Sequence, residues 1–278
     1  MQFLKLTLTA QIKQMKTLSI LSIQSSVVSG RVGNSAAVPI HSLFEQETLR
    51  VDSVVLAAHP GIMRASKFIP PIEQMRGLLQ ELRDVKPSSE INAIQTGYLG
   101  EIEQVNVILS FITDHPNSLY VYDPVFGDNG ALYVDSLIAE KSKSTLLPLA
   151  TITTPNMFEL SYLSQTEVSG IDSAIKASKI IQSNGPEWVL STGIYSGENE
   201  IADILVTPND VRIFSHKRQS TGVSGAGDTL TAILTSLLVS GEPLENAARK
   251  ACNITQSLIG LSNSPQSMPP LTLDLLRK

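Results

Sequence analysis

Short apolar segments alternate with helix-like segments along nearly the whole chain, and this alternation limits the fold more than any other feature. Six segments have the length and apolar character of strands: Leu18–Ile23, Val51–Ala57, Ile91–Thr96, Leu119–Tyr122, Ala150–Thr153 and Trp188–Ser191. Seven have the spacing of helices: Ser35–Gln46, Ile72–Leu82, Ile102–Thr113, Val134–Ser142, Ile171–Ser183, Ala226–Val239 and Pro243–Leu261. Strands and helices that alternate in this way form a mostly parallel sheet with helices on both faces. The sequence therefore predicts an α/β fold.

Two further segments predict a small antiparallel hairpin in the same fold. Ile201–Thr207 and Val211–Ser215 are joined by the turn-forming residues Pro208-Asn209-Asp210. The sequence contains no repeat, low-complexity tract or linker, so we expect residues 16–278 to form a single domain. Residues 1–15 lack the long apolar centre of a secretory signal, and we expect an N-terminal extension with Met15 as an alternative start.

The composition of the chain excludes several classes of protein. A net charge of -5 and a pI near 5.4 argue against a nucleic acid partner. The sequence has no apolar stretch long enough to cross a bilayer. The one cysteine, Cys252, lies in a predicted helix, where an inert buried thiol in a reducing compartment is expected. The four histidines lack the spacing of a metal pair on a helix. We therefore expect a cytoplasmic protein that binds neither nucleic acid nor membrane.

A glycine-rich segment late in the chain carries the strongest functional signal. Gly225-Ala226-Gly227-Asp228 leads directly into an apolar helix pattern. The amides of Gly225, Ala226 and Gly227 at a helix N-terminus can bind an anion such as a phosphate. Asp228 then places a carboxylate beside the phosphate, as suits a kinase that deprotonates a substrate hydroxyl. The alternative is a tight turn in which Asp228 caps the helix, and this segment alone does not decide between the two.

Four other polar segments follow predicted strands, where doubly wound sheets bind their ligands. They are Ser22-Ile23-Gln24-Ser25 with Gly33-Asn34-Ser35-Ala36-Ala37, Thr96-Gly97-Tyr98-Leu99-Gly100, Asp123-Pro124-Val125-Phe126-Gly127-Asp128, and Thr154-Pro155-Asn156-Met157-Phe158-Glu159-Leu160. A Walker A sequence, which ends in Gly-Lys-Ser/Thr, is absent from the sequence. With the glycine-rich segment, these blocks resemble the pyridoxal kinases of the ribokinase-like superfamily, in the same order. The first block is the one that points to pyridoxal.

The resemblance implies roles for the acidic residues. Asp228 matches the base that takes the proton of the substrate's hydroxymethyl group, beside an anion hole formed by residues 225–227. Glu159 matches a metal-side residue, Asp123 lies close to the metal and the phosphates, and Asn156 belongs to the same polar network. Each carboxylate also has a purely structural interpretation, since Asp123 could cap a turn and Glu159 could complement a helix dipole.

The resemblance also implies contacts to the two substrates. Ser25 and His59 match the vitamin site, where a hydroxyl can bond the ring nitrogen or the phenolic oxygen. Thr154 and Thr192 match positions near the nucleotide. Tyr133 matches a tyrosine near the metal, although a packing role is the common one for a buried tyrosine.

The expected activity is ATP-dependent phosphorylation of the 5′-hydroxymethyl group of pyridoxal, pyridoxine or pyridoxamine, in vitamin B6 salvage. The resemblance implies Mg²⁺, a monovalent cation as a further cofactor, and a homodimer. Two alternatives stay open: a hydroxymethylpyrimidine kinase, and a non-catalytic regulator that binds pyridoxal phosphate or a nucleotide. Ala226 and Ser29 stand where many pyridoxal kinases have threonine and tyrosine, and these departures concern specificity more than the type of reaction.

Overall fold

A nine-stranded sheet runs through the centre of the protein. The computed structural model describes residues 17–59, 66–219, 223–264 and 266–276. In this part of the chain the strands are β1 (Ser19–Ser29), β2 (Glu47–Ala58), β3 (Lys67–Phe68), β4 (Ile91–Thr96), β5 (Leu119–Tyr122), β6 (Gly127–Asp128), β7 (Ala131–Leu132), β8 (Ile152–Thr153), β9 (Trp188–Gly197), β10 (Glu200–Val206) and β11 (Val211–Lys217). Strands β6 and β7 form a separate two-stranded hairpin, and the central sheet has the order β11-β10-β9-β8-β5-β4-β1-β2-β3.

Pairing is parallel in the centre of the sheet and antiparallel at its edges. Strands β2, β1, β4, β5, β8 and β9 are parallel neighbours in that order. The predicted hairpin, β10 with β11, extends one edge, and β3 pairs with β2 at the other. Because β1 lies between β2 and β4, the chain crosses first to one side of β1 and then to the other. Such a switch point leaves a crevice beyond the carboxyl ends of the strands, where α/β proteins bind ligands.

Helices cover both faces of the sheet. They are α1 (Asn34–Leu43), α2 (Ile72–Val85), α3 (Ile102–Thr113), α4 (Ser136–Thr145), α5 (Met157–Ser164), α6 (Ile171–Gln182), α7 (Ala226–Val239), α8 (Leu244–Leu261) and α9 (Leu273–Leu276). Helices α2 to α6 pack against one face, and α1, α7 and α8 against the other. In β5, Tyr120 and Tyr122 face the first layer and Val121 the second, so the strand is buried on both sides. The predicted α/β fold is confirmed.

Two local features differ from the sequence prediction. Strand β1 continues to Ser29, so Ser25 lies within the strand and not in a loop after it. The register of β1 with β2 shifts between Gln24 and Ser26, where β2 has one residue more than β1, as in a β-bulge. Helix α5 is absent from the predicted helices, because its eight residues are too few for a clear helical pattern.

Part of the sequence prediction lies outside the described residues. This applies to the N-terminal extension, residues 1–15, and to residues 220–222, which precede the glycine-rich segment. Among the helices that the structure describes, none has both the length and the apolar character of a membrane span.

Candidate active site

Three carboxylates meet in the crevice at the carboxyl end of the sheet. Asp123 directly follows β5, while Glu159 and Asp228 lie in the first turns of α5 and α7. Burial, and then the charges of Glu159 and Asp228, raise the pKa of Asp123 well above its usual value, so the three groups are close enough to interact. Within the described residues, no salt bridge joins any of them to a basic side chain. The crevice therefore concentrates negative charge that a bound cation would relieve.

Gly225 positions the N-terminus of α7. It precedes the helix with φ 88° and ψ 6°, and a side chain there would overlap the carbonyl oxygen of Arg31. Both conditions require glycine. The Ala226 amide donates to the Val223 carbonyl at 3.2 Å, and a Cβ on Gly227 would meet open space. The N-terminus of α7 is thus packed against Arg31 at Gly225 and open at Gly227, as an anion site needs.

Asp228 occupies the third position of α7 and does not cap the helix. The N-cap residue is Gly225, which has no side chain to accept a hydrogen bond, so the capping interpretation of Asp228 is wrong. Burial raises the pKa of Asp228 to about 6, and the backbone amides of Gly33 and of Asp228 itself oppose the rise. The carboxylate is ionised at neutral pH and more basic than an exposed aspartate, which are the properties of a general base.

Two threonine hydroxyls form a hydrogen-bonded chain that ends on the Asp123 carboxylate, and the sequence does not predict it. Its side chain is 5% exposed, and its Oδ2 accepts a hydrogen bond from Thr231 Oγ1 at 3.1 Å. Thr231 Oγ1 lies 2.9 Å from Thr154 Oγ1. Thr231 is three residues after Asp228 on α7, so both project from the same side of the helix. That i,i+3 spacing is the one sequence signal that could have identified Thr231.

Glu159 and Asn156 form a reciprocal capping box at the start of α5. Glu159 Oε2 accepts from the Asn156 amide at 3.0 Å, and Asn156 Oδ1 accepts from the Glu159 amide at 2.9 Å. Glu159 Oε1 accepts from the Phe126 amide at 2.8 Å. Burial raises the pKa of Glu159 to about 7, and the amides of Asn156, Phe126 and Gly127 oppose the rise. The helix-end interpretation of Glu159 is therefore correct. It is compatible with a metal-side role because the two oxygens have about four lone-pair positions and three amides occupy three of them.

The donor groups of the crevice fit a hard divalent cation. Asp123, Glu159 and the hydroxyls of Thr154 and Thr231 offer oxygen atoms only, which Mg²⁺ prefers. Asp123 and Glu159 also have raised pKa values because burial and neighbouring charge disfavour ionisation. A cation among these groups would restore the ionised forms.

The Ser-Ile-Gln-Ser block is mainly structural, with Ser25 as the exception. Ser22 Oγ donates to Asn34 Oδ1 at 2.7 Å and accepts from Gln24 Nε2 at 2.8 Å, deep in the core. Ser25 is 5% exposed and lies against Gly33, where a side chain would overlap the Ser25 carbonyl oxygen. Gly33 in turn provides the amide that acts on Asp228. One glycine therefore brings the predicted substrate contact beside the predicted base.

The remaining predicted site residues surround the same crevice. His59 Nδ1 lies 3.4 Å from Ser224 Oγ, beside the glycine-rich turn, and burial lowers its pKa. Thr192 forms an isolated bridge with Asn156 and donates its amide to Pro155 at 2.9 Å. Tyr133 is 51% exposed, yet partial burial and then the charges of Glu159, Asp123 and Asp228 raise its pKa, which places it beside the carboxylates.

Comparison with known proteins identifies the family. The sequence model of the phosphomethylpyrimidine kinase family matches residues 73–268, well over half of the chain. The pyridoxine/pyridoxal/pyridoxamine kinase of Bordetella avium is 34% identical over 236 residues, which cover 82% of this chain and 80% of that protein. The chain belongs to the pyridoxal kinase family. The predicted recognition is confirmed, and so is the predicted class of enzyme, because the family consists of kinases.

Solved structures of the pyridoxal kinase family have the same fold. The crystal structure of the pyridoxal kinase of Entamoeba histolytica superposes with a TM-score of 0.86 at 27% identity, and covers 94% of each chain. The pyridoxal kinase of Leishmania donovani in complex with ADP and pyridoxine has a TM-score of 0.83 at 25% identity, over 90% of this chain and 92% of that one. The predicted ribokinase-like fold is therefore confirmed along nearly the whole chain.

Proposed function

We propose that the protein transfers the γ-phosphoryl group of ATP to the 5′-hydroxymethyl group of pyridoxal, pyridoxine or pyridoxamine. The observation that carries this proposal is the raised-pKa carboxylate of Asp228 in the first turn of α7, beside a helix N-terminus that faces open space. The name of the Bordetella avium relative and the ADP and pyridoxine of the Leishmania donovani complex support the two substrates.

Asp228 is the proposed base. As the hydroxymethyl oxygen forms its bond to the γ-phosphorus and the bond to the ADP oxygen breaks, the Asp228 carboxylate accepts the hydroxyl proton. Charge on the transferred group is stabilised by the N-terminus of α7 at residues 225–227. Ser25 and His59 hold the vitamin ring, with Ser25 placed by its contact with Gly33.

A second group of residues is proposed for the metal and the nucleotide. Asp123 and Glu159 would hold Mg²⁺, with Tyr133 beside them. When bound, Mg²⁺ neutralises charge on the ATP phosphates. Thr154, Asn156 and Thr192 are the proposed contacts to the nucleotide. Thr154 is linked to Asp123 through the Thr231 hydroxyl, Asn156 caps the helix of Glu159, and Thr192 bridges to Asn156.

Activity should fall as the pH drops through about 6, because the pKa of Asp228 is raised to about 6 and only its ionised form accepts a proton. The rate should be nearly constant above that pH and fall about tenfold for each further pH unit below it. The measurement is kcat/KM for the vitamer at saturating Mg·ATP across the acid range, with overlapping buffers, because kcat/KM reports the pKa of the base before the vitamer binds. An acid limb centred near pH 4, the ordinary aspartate value, would contradict the assignment.

Thr231→Val is expected to weaken use of Mg·ATP about tenfold, because it removes the hydroxyl that donates to Asp123 Oδ2. Asp123 then ionises less readily and holds a cation less well. The measurement is KM for Mg·ATP, together with the Mg²⁺ concentration needed for half-maximal rate. Thr235→Val is the matched control, since its hydroxyl bonds only the Thr231 carbonyl one turn back. Equal effects of the two variants would show that Thr231 matters only to the helix.

The proposal is tested by ATP consumption with pyridoxal, pyridoxine, pyridoxamine and hydroxymethylpyrimidine in turn. Turnover with at least one B6 vitamer supports it. Turnover with the pyrimidine alone would transfer the same mechanism to the second candidate, which the description of the matching family favours. A folded protein that binds ATP and turns over none of the four would instead be the non-catalytic regulator. Asp84→Asn, on the exposed side of α2, is the control for effects of expression and purification, and it should keep the activity of the wild type.

We also propose the features that the resemblance implies beyond the reaction. These are a single domain over residues 16–278, a homodimer, a monovalent cation as a further cofactor, and a cytoplasmic location. Sedimentation of the protein, with activity compared in potassium and in tetramethylammonium buffers, tests the second and third.

A further inference from the structure

A second cluster of metal-ligating side chains lies outside the candidate active site. It consists of Asp203 on β10, His216 on β11 and Cys252 on α8, whose ligand atoms all lie within 4.8 Å of one another. In the register of the hairpin, Ile201 is opposite His216 and Asp203 is opposite Phe214, so Asp203 and His216 are diagonal neighbours on one face. Helix α8 covers that face and places Cys252 over the pair. Three elements that are distant in sequence thus converge on one point.

The cluster contains polar atoms that the described chain leaves unsatisfied. Asp203 Oδ2 and His216 Nε2 are buried and lie 3.3 Å apart, close enough for an ion pair but without the alignment of a hydrogen bond. The side chains of Asp203 and His216 are 3% and 10% exposed. The other oxygen, Oδ1, accepts from the Gly193 amide at 2.9 Å, which fixes the orientation of the carboxylate. Because buried polar atoms without partners are costly, a group that bonds both of them is expected at this point.

The surroundings make a purely structural role for these residues unfavourable. Phe214, Leu205 and the alanines of α8 pack around the cluster as a continuous apolar core. An Asp, a His and a Cys in such a core each lose hydration. The Cys252 thiol is itself fully buried, and Asp203 of the same cluster is its polar side-chain neighbour.

We propose that Asp203, His216 and Cys252 form a binding site for a thiophilic divalent cation of the Zn²⁺ type. A carboxylate oxygen, an imidazole nitrogen and a thiolate are together a Zn²⁺ donor set. Tetrahedral Zn²⁺ sites hold their ligand atoms about 3.3–3.8 Å apart, given metal–ligand distances of about 2.0–2.3 Å. The 3.3 Å between Asp203 Oδ2 and His216 Nε2 already has this value. On binding, the bond from sulfur to the metal forms, the S–H bond breaks, and the proton passes to water, which also fills the fourth position.

This site differs in chemistry from the crevice proposed for Mg²⁺. The crevice offers oxygen donors alone, whereas the cluster adds a thiolate and an imidazole, which magnesium rarely uses. His216, whose side chain is 10% exposed, is the ligand of the cluster nearest to solvent. The two sites are therefore expected to bind different metals in the same protein.

Co²⁺ is the probe for this site, used on untagged full-length protein in the presence of excess Mg²⁺. Because Cys252 is the one cysteine of the sequence, a thiolate-to-cobalt charge-transfer band can arise only there. We expect a band that saturates at one equivalent, with the visible spectrum of a tetrahedral ion, and that Zn²⁺ abolishes. Cys252→Ala should remove the band. His216→Gln and Asp203→Asn should each weaken Co²⁺ binding at least about tenfold, because even the loss of a residue that only supports a metal ligand typically has an effect of that size.

The control and the contradicting outcomes are equally specific. Asp210→Asn makes the same change as Asp203→Asn at the exposed turn of the hairpin and should leave the band unchanged. Circular dichroism confirms that each variant is folded, and His216→Gln, at the edge of the core, stays informative if Cys252→Ala unfolds. Absence of the charge-transfer band in the wild type would overturn the proposal. So would a band that His216→Gln leaves at full strength.

Discussion

Replacing Asp228 with asparagine is expected to lower kcat about a thousandfold while the affinity for ATP stays within a few fold of wild type. Asparagine has nearly the same shape but cannot accept the hydroxyl proton, so only the interaction made during phosphoryl transfer is lost. The raised pKa of Asp228, about 6, makes it a stronger base than an exposed aspartate while most of it stays ionised at neutral pH. The measurements are steady-state kinetics and ATP binding by calorimetry. The pH limb near 6 should also disappear from whatever activity remains.

The same substitution should make the protein more stable. Folding raises the pKa of Asp228 from 3.8 to about 6, so as the pH rises the carboxyl ionises in the unfolded chain before it does in the folded protein. The free energy of unfolding therefore decreases as the pH rises from about 4 to about 6. Above pH 6 the loss is constant, at about 1–3 kcal/mol from about 1.4 kcal/mol per pKa unit. Asp228→Asn removes it, so the Tm of the ligand-free protein should rise at pH 8 and not at pH 4. Asp84→Asn, at an exposed position, should change neither activity nor Tm. An inactive variant of lower Tm would point to lost structure and not to a lost base.

The features that the sequence predicts well are those in which neighbouring residues act together. Gly225 to Asp228 form one turn and the start of one helix, so their spacing along the chain is also their spacing in the molecule. Asn156 and Glu159 are likewise three residues apart, and the polar network expected for them lies within one helical turn. The alternation of strands and helices predicts the layers for the same reason, since each pattern is local.

The features that the sequence does not predict depend on contacts between distant segments. Ser25 lies where the register of β1 with β2 shifts, which no local pattern of β1 records. Thr231 matters because Asp123 lies opposite it, 108 positions away in the chain. Histidine spacing gave no sign of a metal site, because His216 meets Asp203 and Cys252 only after the hairpin and α8 have packed. Such constellations are set by topology, and a search for motifs along one segment cannot find them.

Gly225→Ala is expected to destabilise the protein by about 3 kcal/mol or more and to abolish activity in the fraction that folds. At φ 88° a side chain is strained, and the added Cβ would overlap the carbonyl oxygen of Arg31, which is backbone and cannot rotate away. To relieve that overlap, either the loop at Arg31 or the N-terminus of α7 must move. The Arg31 loop contains Gly33, whose amide bonds the Asp228 carboxylate. The first movement takes the Gly33 amide away from Asp228. The second displaces Asp228 and the anion site together from the rest of the crevice.

Two matched glycines distinguish this geometric effect from a general intolerance of alanine. Gly77 lies inside α2 with no atom near its added Cβ, so Gly77→Ala should raise stability by about 0.5–1 kcal/mol and leave activity unchanged. Gly227 also has open space around it, so Gly227→Ala should fold normally, but its methyl group would project from the first turn of α7 beside the anion site and lower kcat/KM. Urea unfolding and kinetics on the three variants give the comparison. A Gly225→Ala protein as stable and active as Gly77→Ala would show that Gly225 does not set the position of α7, because strain at that turn would then have no consequence for the base.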